Sequence, residues 1–478
     1  MSKAAFFRIA KATAFELLSP YACRLALATL RERKSPANLP PRVKLAYYSL
    51  KVANVFLPLA SLMREQEKSE IERPQVYDEH LLNLMVNRAY DLPEVRVSNQ
   101  EPVRINVLVP AFTISTISAG FFGVFNVALF IAQQGYRVRL VLFDNFYYVE
   151  EEFRSALKKF PSMEHLFEQL EIEYIGSRIV PLRVSPRDNC VATVWYSAYF
   201  ANKIAQLTGT RPFLYLIQDF EAAFYPFNSQ YCISRDSYGF NYHTLSSSSA
   251  LLKYLEVNAI IPQGAAVKSM SFDNAYSSSI YPENEFHLEK QKNTKRFVFY
   301  SRPAVNRNMF EMAALALIDA FKKGAFEEGE WEFYGMGIGN TTVRLADGVE
   351  VTQLPRLPLD EYEAITKTFD LCLTLMSSPH PSLIPMDLAA SGAIVVTNTF
   401  ETKTADYLTG ISKNIIPAHP GLYPLSSAII EGAKRTRDTQ ARYANASVNW
   451  PKSWAETWTD QHREFILEVF SDAQQKTA

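Results

Sequence analysis

The sequence predicts an α/β protein of two doubly wound domains with a helical N-terminal extension, on three observations. From residue 104 onward short, strand-like apolar runs alternate with helix-patterned segments. The alternation starts afresh after a polar stretch at 283–295, and the first 70 residues share neither its pattern nor its charge balance. Strands separated by helices form parallel sheets covered on both faces. Two such sheets joined in the middle turn their carboxyl ends to one cleft, the usual ligand site of such folds. A length of 478 residues accommodates this division. Hydrophobic residues at 48% and charged residues at 21% exclude a disordered or fibrous chain. With 49 Lys and Arg against 50 Asp and Glu there is no overall positive field, so no nucleic-acid partner is expected.

Residues 1–70 carry twelve Lys or Arg against five Glu, a balance of +7. Leu45, Tyr48, Val52, Val55, Phe56, Leu59 and Leu62 recur at helical spacing beside Lys44 and Lys51, with Pro58 kinking or ending the helix. Such a stripe either lies on an anionic membrane surface or packs on its own domain or on a partner. The first 15 residues lack the long apolar run and cleavage site of a secretory signal, so a cytoplasmic protein is expected, peripheral on the inner face of the cell membrane if the extension binds lipid.

The main body opens with a strand at 105–109 and a helix at 121–134. No charge falls between 105 and 136, but Pro110, the hydroxyl cluster Thr113, Ser115, Thr116 and Ser118, and two glycines interrupt the run. A buried helix fits better than a membrane span. A strand at 138–143, a charged helical stretch at 150–170, a strand at 190–195, a helix from 198, a strand at 213–217 and a strand–helix unit at 242–245 and 249–255 complete the first domain. The second reads as strand 297–300, helix 308–321, strand 331–334, helix 360–368, strand 371–375, helix 384–390 and strand 393–397, with a last helix at 454–470. The expected divisions are a basic extension and linker at 1–100, domains at 101–282 and 283–452, and a C-terminal helix at 453–478 placed to cross back to the first domain.

Cys23, Cys190, Cys232 and Cys372 are widely spaced, and the histidines form no HxxxH or HExxH pattern, so neither a disulfide framework nor a metal is expected. The glycines at 334–339 imitate a dinucleotide loop, but no periodic helix follows them to supply amides to a phosphate, and a turn is expected. Gly120 and Gly123 follow the first strand at the start of a helix. Small residues there either let backbone approach a phosphate or sugar, or permit close packing of helix on sheet. Arg302 and Arg307 flank the strand end and helix start after 297–300, where guanidinium forks suit phosphate oxygens, surface salt bridging being the alternative. In 377–392, His380 and Ser382 sit on a loop after a strand, and Asp387 in a helix's first turn either accepts from sugar hydroxyls or partners the helix dipole.

Four segments carry a resemblance: the glycines Gly120 and Gly123, Gln218-Asp219-Phe220-Glu221 with Phe224-Tyr225-Pro226, SRPxxxRN at 301–308, and SPHPSxxPxDxAASGAxVVTN at 378–398. Together they resemble retaining glycosyltransferases of the two-Rossmann-domain GT-B type in the family 4 superfamily, with the nearest match to the WsaF-type rhamnosyltransferases of bacterial surface-glycan assembly. The resemblance implies that Arg302 and Arg307 hold a donor diphosphate without metal or other cofactor. It puts Asp387 in the place of the second acid of the superfamily's paired-acid motif, which contacts the ribose. The first acid falls near His380, a departure that affects the donor-sugar contact. Asp219 and Glu221 then orient the acceptor hydroxyl, against a plainer reading as strand-end caps. The implied partners are a nucleotide-sugar, dTDP-L-rhamnose by the resemblance, and a glycan or lipid-linked oligosaccharide acceptor. The alternatives are transfer from another UDP- or GDP-sugar, and a catalytically silent module of a polysaccharide assembly complex.

Overall fold

The computed structural model describes residues 79–473 together with Lys44 and Tyr48, apart from 113–118, 159–160, 210–211, 293, 338–342, 347 and 356–358. The chain divides into two compact units, Met1–Glu79 and His80–Ala478. Apart from Lys44 and Tyr48, the +7 segment and its apolar stripe lie outside the described residues, as does the hydroxyl cluster of Thr113, Ser115, Thr116 and Ser118. The second unit contains both α/β domains.

In the first domain β1 (Ile105–Val109), β2 (Val138–Leu142), β3 (Leu170–Tyr174), β4 (Asn189–Ala192), β5 (Phe213–Ile217), β6 (Tyr242–Ser247) and β7 (Ser269–Phe272) form one parallel sheet in the order β3-β2-β1-β4-β5-β6-β7. Val107 at its centre stands opposite Leu140 on one side and Val191 on the other. One face is covered by α1 (Ala119–Gln133) and the other by α2 (Trp195–Thr208) and α3 (Ser249–Val257), which is why the central strands read as unbroken apolar runs. One polar residue on the central strand, Asn106, is fully buried; it donates to Asp188 and accepts from Arg139 of β2.

The charged stretch at 150–170 differs from the single helix expected. It forms two short helices, Glu150–Leu157 and Pro161–Phe167, and Leu170 opens the edge strand β3. The expected helix ran as far as Leu170, and the edge strand that begins there, LEIEY, carries Glu171 and Glu173. These in fact pair along the sheet edge with Arg104, Arg137 and Arg139, and charges on an edge strand discourage pairing with other chains. The strand expected to reach Trp195 ends at Ala192. There the Ser197 hydroxyl accepts from the amides of Thr193 and Val194 and turns the chain into α2.

In the second domain α4 (Glu283–Lys290) precedes β8 (Lys295–Tyr300), α5 (Phe310–Lys322), β9 (Trp331–Met336), β10 (Thr352–Gln353), α6 (Leu359–Thr366), β11 (Leu371–Thr374), α7 (Ile384–Ala390), β12 (Ile394–Asn398), α8 (Ala405–Ile411), β13 (Ile415–Ala418) and α9 (Leu422–Arg435). The sheet is parallel in the order β10-β9-β8-β11-β12-β13. Helices α5 and α9 cover one face, α7 and α8 the other. Neither β13 nor α9 was expected. After α10 (Thr439–Ala444) the chain returns to the first domain as α11 (Trp454–Thr457) and α12 (Asp460–Val469), two helices where one was expected. Phe465, Ile466, Val469 and Phe470 join the core under β1 and α1. Among the described residues no helix is long and apolar enough to cross a membrane.

Candidate active site between the two sheets

The carboxyl ends of β5 and β6 face those of β8, β11 and β12, and the residues just beyond these strands meet across the gap. Asp219, two residues past β5, accepts from the Ser378 hydroxyl at 2.5 Å through Oδ1. Its Oδ2 lies 3.6 Å from the Arg307 guanidinium. Arg307 sits on the 3-10 turn Asn306–Asn308 after β8, with its guanidinium 4.3 Å from the centre of the Phe224 ring. Among the described residues its Nε is buried with no hydrogen-bond partner. Arg302 stays against its own domain, donating to the Tyr300 hydroxyl. Gly337, at φ +139°, lets the end of β9 pass beside it: a Cβ there would meet the Ser301 carbonyl at 2.3 Å and Arg302 Cγ at 2.7 Å. The part of the 334–339 glycine run that is described therefore makes room for the arginine connection.

His380 reaches back to the first domain, its Nε2 3.1 Å from the Ser247 hydroxyl, while the Ser382 amide donates to its Nδ1. With Nδ1 accepting, the neutral ring carries its proton on Nε2 and donates it to Ser247. Burial, with Arg307 and Lys403 nearby, pushes His380 down to about 4 despite the opposing charge of Asp219, so the ring is neutral near pH 7. Ser382 holds φ +66° to deliver that amide. Glu221 lies on the turn Glu221–Phe224 and accepts from the Trp195 amide. Burial pushes it up to about 8, with Asp219 adding to the rise and the Trp195 amide, Arg307 and Arg88 opposing it.

Two groups of expected site residues stand differently. Asp387 is not open to the cleft: Oδ1 accepts from the amides of Ser277 and Ser278, and Oδ2 from the Tyr362 hydroxyl. It fastens the interdomain linker onto α7. Burial raises its pKa although these donors pull it down. Gly120 and Gly123 do open α1, and at Gly123 a Cβ would stand 2.6 Å from Gln218 Oε1 and 3.2 Å from Asn274 Oδ1. The close neighbours of Gly123 are thus side chains from the end of β5 and from the linker. Among the described residues both of those oxygens are buried without a partner.

Sequence reasoning missed Ser247, Thr402 and Lys403. The Thr402 hydroxyl donates across the gap to the Ala250 carbonyl. Lys403 is fully buried after β12, and burial pushes its ammonium down to about 7, opposed by Asp219. A lysine five residues beyond the cleft end of a buried strand was the available signal. Among the described residues no group of three or more His, Cys, Asp or Glu is placed to hold a metal ion. Taken together, Arg302, Arg307 and Lys403 give this edge an excess of positive charge suited to a polyanion.

The family profile described as WsaF, N-terminal domain, matches residues 104–247, and that of WsaF, C-terminal domain, matches residues 295–430. The O-antigen biosynthesis protein RfbC of Myxococcus xanthus is 26% identical over 282 residues, which make up 55% of this chain and 20% of that protein. The chain thus spans about a fifth of the length of that curated relative. Among solved structures, Anabaena Alr3699/HepE in complex with UDP-glucose aligns with a TM-score of 0.51 at 13% identity, over 77% of this chain and 100% of that one. TarM aligns with a TM-score of 0.55 at 9% identity, over 78% and 99%. These likenesses show the fold, two facing parallel sheets of the GT-B kind. With both family domains matched in order on either side of the cleft, the chain belongs to the WsaF family.

Proposed function

We propose that this protein is a glycosyltransferase of surface-glycan biosynthesis, binding a nucleoside-diphosphate sugar in the cleft and passing the sugar to a glycan or lipid-linked acceptor. The observation that carries the reading is Arg307: it stands at the strand ends of one domain, faces Asp219 and Phe224 of the other, and keeps a buried Nε without a partner among the described residues. A donor diphosphate satisfies that guanidinium and neutralises the positive edge. As the bond to the anomeric carbon breaks, fixed cations stabilise the charge that builds on the leaving diphosphate. Asp219 and Glu221 border the same cleft and are our candidates for orienting the acceptor hydroxyl. A structure of HepE contains UDP-glucose, and the curated relative is an O-antigen biosynthesis protein; both support the reaction class. Our choice of donor is dTDP-L-rhamnose, transferred with retention by front-face attack, which depends on close packing of donor and acceptor more than on a strong base.

Incubation with labelled dTDP-rhamnose, UDP-sugars and GDP-sugars, with and without a glycan acceptor, tests the reading. Release of nucleoside diphosphate from one donor is expected, and it should continue in EDTA because the arginines supply the charge. Arg307→Ala should weaken nucleoside diphosphate binding by roughly tenfold or more, the loss of about 1.5 to 3 kcal/mol for a charge-assisted pair. Turnover of none of these donors sinks the assignment. The +7 extension we take to bring the enzyme to an anionic membrane surface; co-sedimentation with anionic vesicles, weakening with salt and lost when residues 1–70 are removed, is the expected result.

A further inference from the structure

The turn that follows β12 holds Lys403, whose charge adds to the positive edge of the cleft. Lys403 is 0% exposed, and its only hydrogen bond from Nζ among the described residues goes to the Met376 carbonyl at 2.9 Å. That carbonyl is already satisfied, since it also accepts from Asn398 Nδ2 at 3.0 Å, while Asn398 Oδ1 takes the Met376 amide. The backbone at Met376 thus has its partners without the lysine. No carboxylate among the described residues forms an ion pair with this ammonium, which leaves two of its three donors free for something else. A buried, incompletely bonded ammonium costs stability, and such groups persist where a ligand completes them.

The position limits what that ligand is. Met376 leads into the loop that carries Ser378 and His380, the partners of Asp219 and Ser247. In the sheet order β8, β11 and β12 are adjacent, so Arg307 after β8 and Lys403 after β12 bracket this loop from either side. The two strands lie about 10 Å apart by ordinary strand spacing, within reach of one diphosphate and two long side chains. Both cations act on the His380 ring, and Asp219 acts on both His380 and Lys403.

We infer that Lys403 is a third cation of the donor site, binding the leaving diphosphate on the side opposite Arg307. The inference rests on the donor reading above and deepens it. A sugar nucleotide's diphosphate gains a negative charge when its bond to the sugar breaks, and an ammonium held short of partners responds to that gain more than one already paired. Asp219 from the β5 loop acts on this ammonium, and the ammonium acts together with Arg307 from the β8 turn on the His380 ring of the β11 loop, with Glu221 close to Asp219. Because burial holds Lys403 near 7, it is mostly neutral at pH 8, and a bound diphosphate should draw about one proton onto it from solution.

The test is titration calorimetry of dTDP and UDP into the full chain at about pH 8, in buffers of differing ionisation enthalpy, which counts protons taken up on binding. Wild type, Arg307→Ala, Lys403→Met and Glu221→Gln are compared. The expected result is proton uptake in wild type and in Glu221→Gln, and in Lys403→Met loss of the uptake with affinity weaker by roughly tenfold, the scale of one charge-assisted bond. Lys403→Met should melt no lower than wild type, since Asn398 still serves Met376. If Lys403→Met binds as tightly with the same uptake while Arg307→Ala does not, the lysine inference fails and the donor reading stands. A drop in its melting temperature with affinity unchanged marks a structural clamp and also overturns the inference. Should that variant not fold, absence of proton uptake in Glu221→Gln overturns it instead. If wild type binds neither nucleotide, nor GDP, the donor reading itself falls.

Discussion

Glu221 is a residue whose chemistry its environment changes. Burial pushes it up to about 8, far above the roughly 4.3 of a free glutamate, so at neutral pH it is an uncharged acid beside the Asp219 carboxylate. Because its pKa is higher in the folded than in the unfolded chain, the native state holds an extra proton between these two values. Its contribution to stability is complete below about pH 4.3 and is lost as pH rises towards about 8. Glu221→Gln keeps an acceptor for the Trp195 amide and removes the titration. The variant should therefore gain on wild type in urea denaturation as the pH is raised from about 5 to about 9. A difference independent of pH would mean that Glu221 stays ionised. His380 runs the other way: its neutral form is favoured by folding, so its contribution is lost as pH falls from about 6.5 towards about 4. Together they leave the cleft with a neutral imidazole and a neutral acid near pH 7, and the positive charge rests on the arginines and Lys403.

At the scale of elements, a buried charge cluster fixes the base of the second sheet. Asp370, just before β11, receives Arg442 of α10 at 2.9 Å, stands 3.5 Å from Lys290 of α4, and takes the Arg296 amide with its other oxygen. Arg442 also donates to the carbonyls of Gly392 and Thr436. Asp370→Asn leaves two buried cations without their carboxylate, and should cost about 3 to 5 kcal/mol in urea unfolding. Burial already holds Lys290 down to about 8, so the loss should shrink at alkaline pH, where that lysine sheds its proton. This cluster also shows why some elements could be read from sequence and others could not. Central strands such as FLYLI and the helix IPMDLAA were legible because their burial needs only apolar residues in a local run. The edge strand LEIEY was not, because what makes it a strand is a set of arginines on β1 and β2 and their flanks. Asp387 was found as a special residue, but its partners Ser277, Ser278 and Tyr362 are distant in sequence, and only the fold brings them to its oxygens. Lys403 escaped for the same reason: its burial depends on loops from three strands.

At the scale of the whole molecule, the two domains are joined twice, and the second crossing is part of the first domain's core. On the way back, the Trp450 indole donates to the Asn274 carbonyl, the Tyr276 amide to the Pro451 carbonyl, and the Thr457 hydroxyl to the Asp273 carbonyl. Trp458 then stacks on Phe130 at 4.4 Å and on Phe272 at 5.4 Å, and Ile466 and Phe470 are almost wholly buried. Each fully buried side chain contributes about 1.5 to 3 kcal/mol, so Phe465, Ile466 and Phe470 together rival the 5 to 15 kcal/mol that holds a typical domain folded. Ending the chain after Ser453 should therefore unfold the first domain, seen as loss of its near-ultraviolet aromatic signal and binding of a hydrophobic dye, while the second domain, whose cores contain none of these residues, keeps a cooperative melt. If the helices only tethered the domains, the shortened chain would keep both transitions and lose only nucleotide affinity. Trp458→Ala in the intact chain separates the two accounts. It removes one stacked ring without cutting the crossing, so a core role predicts a lower melting temperature for the first domain with the Asp219–Arg307 contact and nucleotide binding preserved at low temperature.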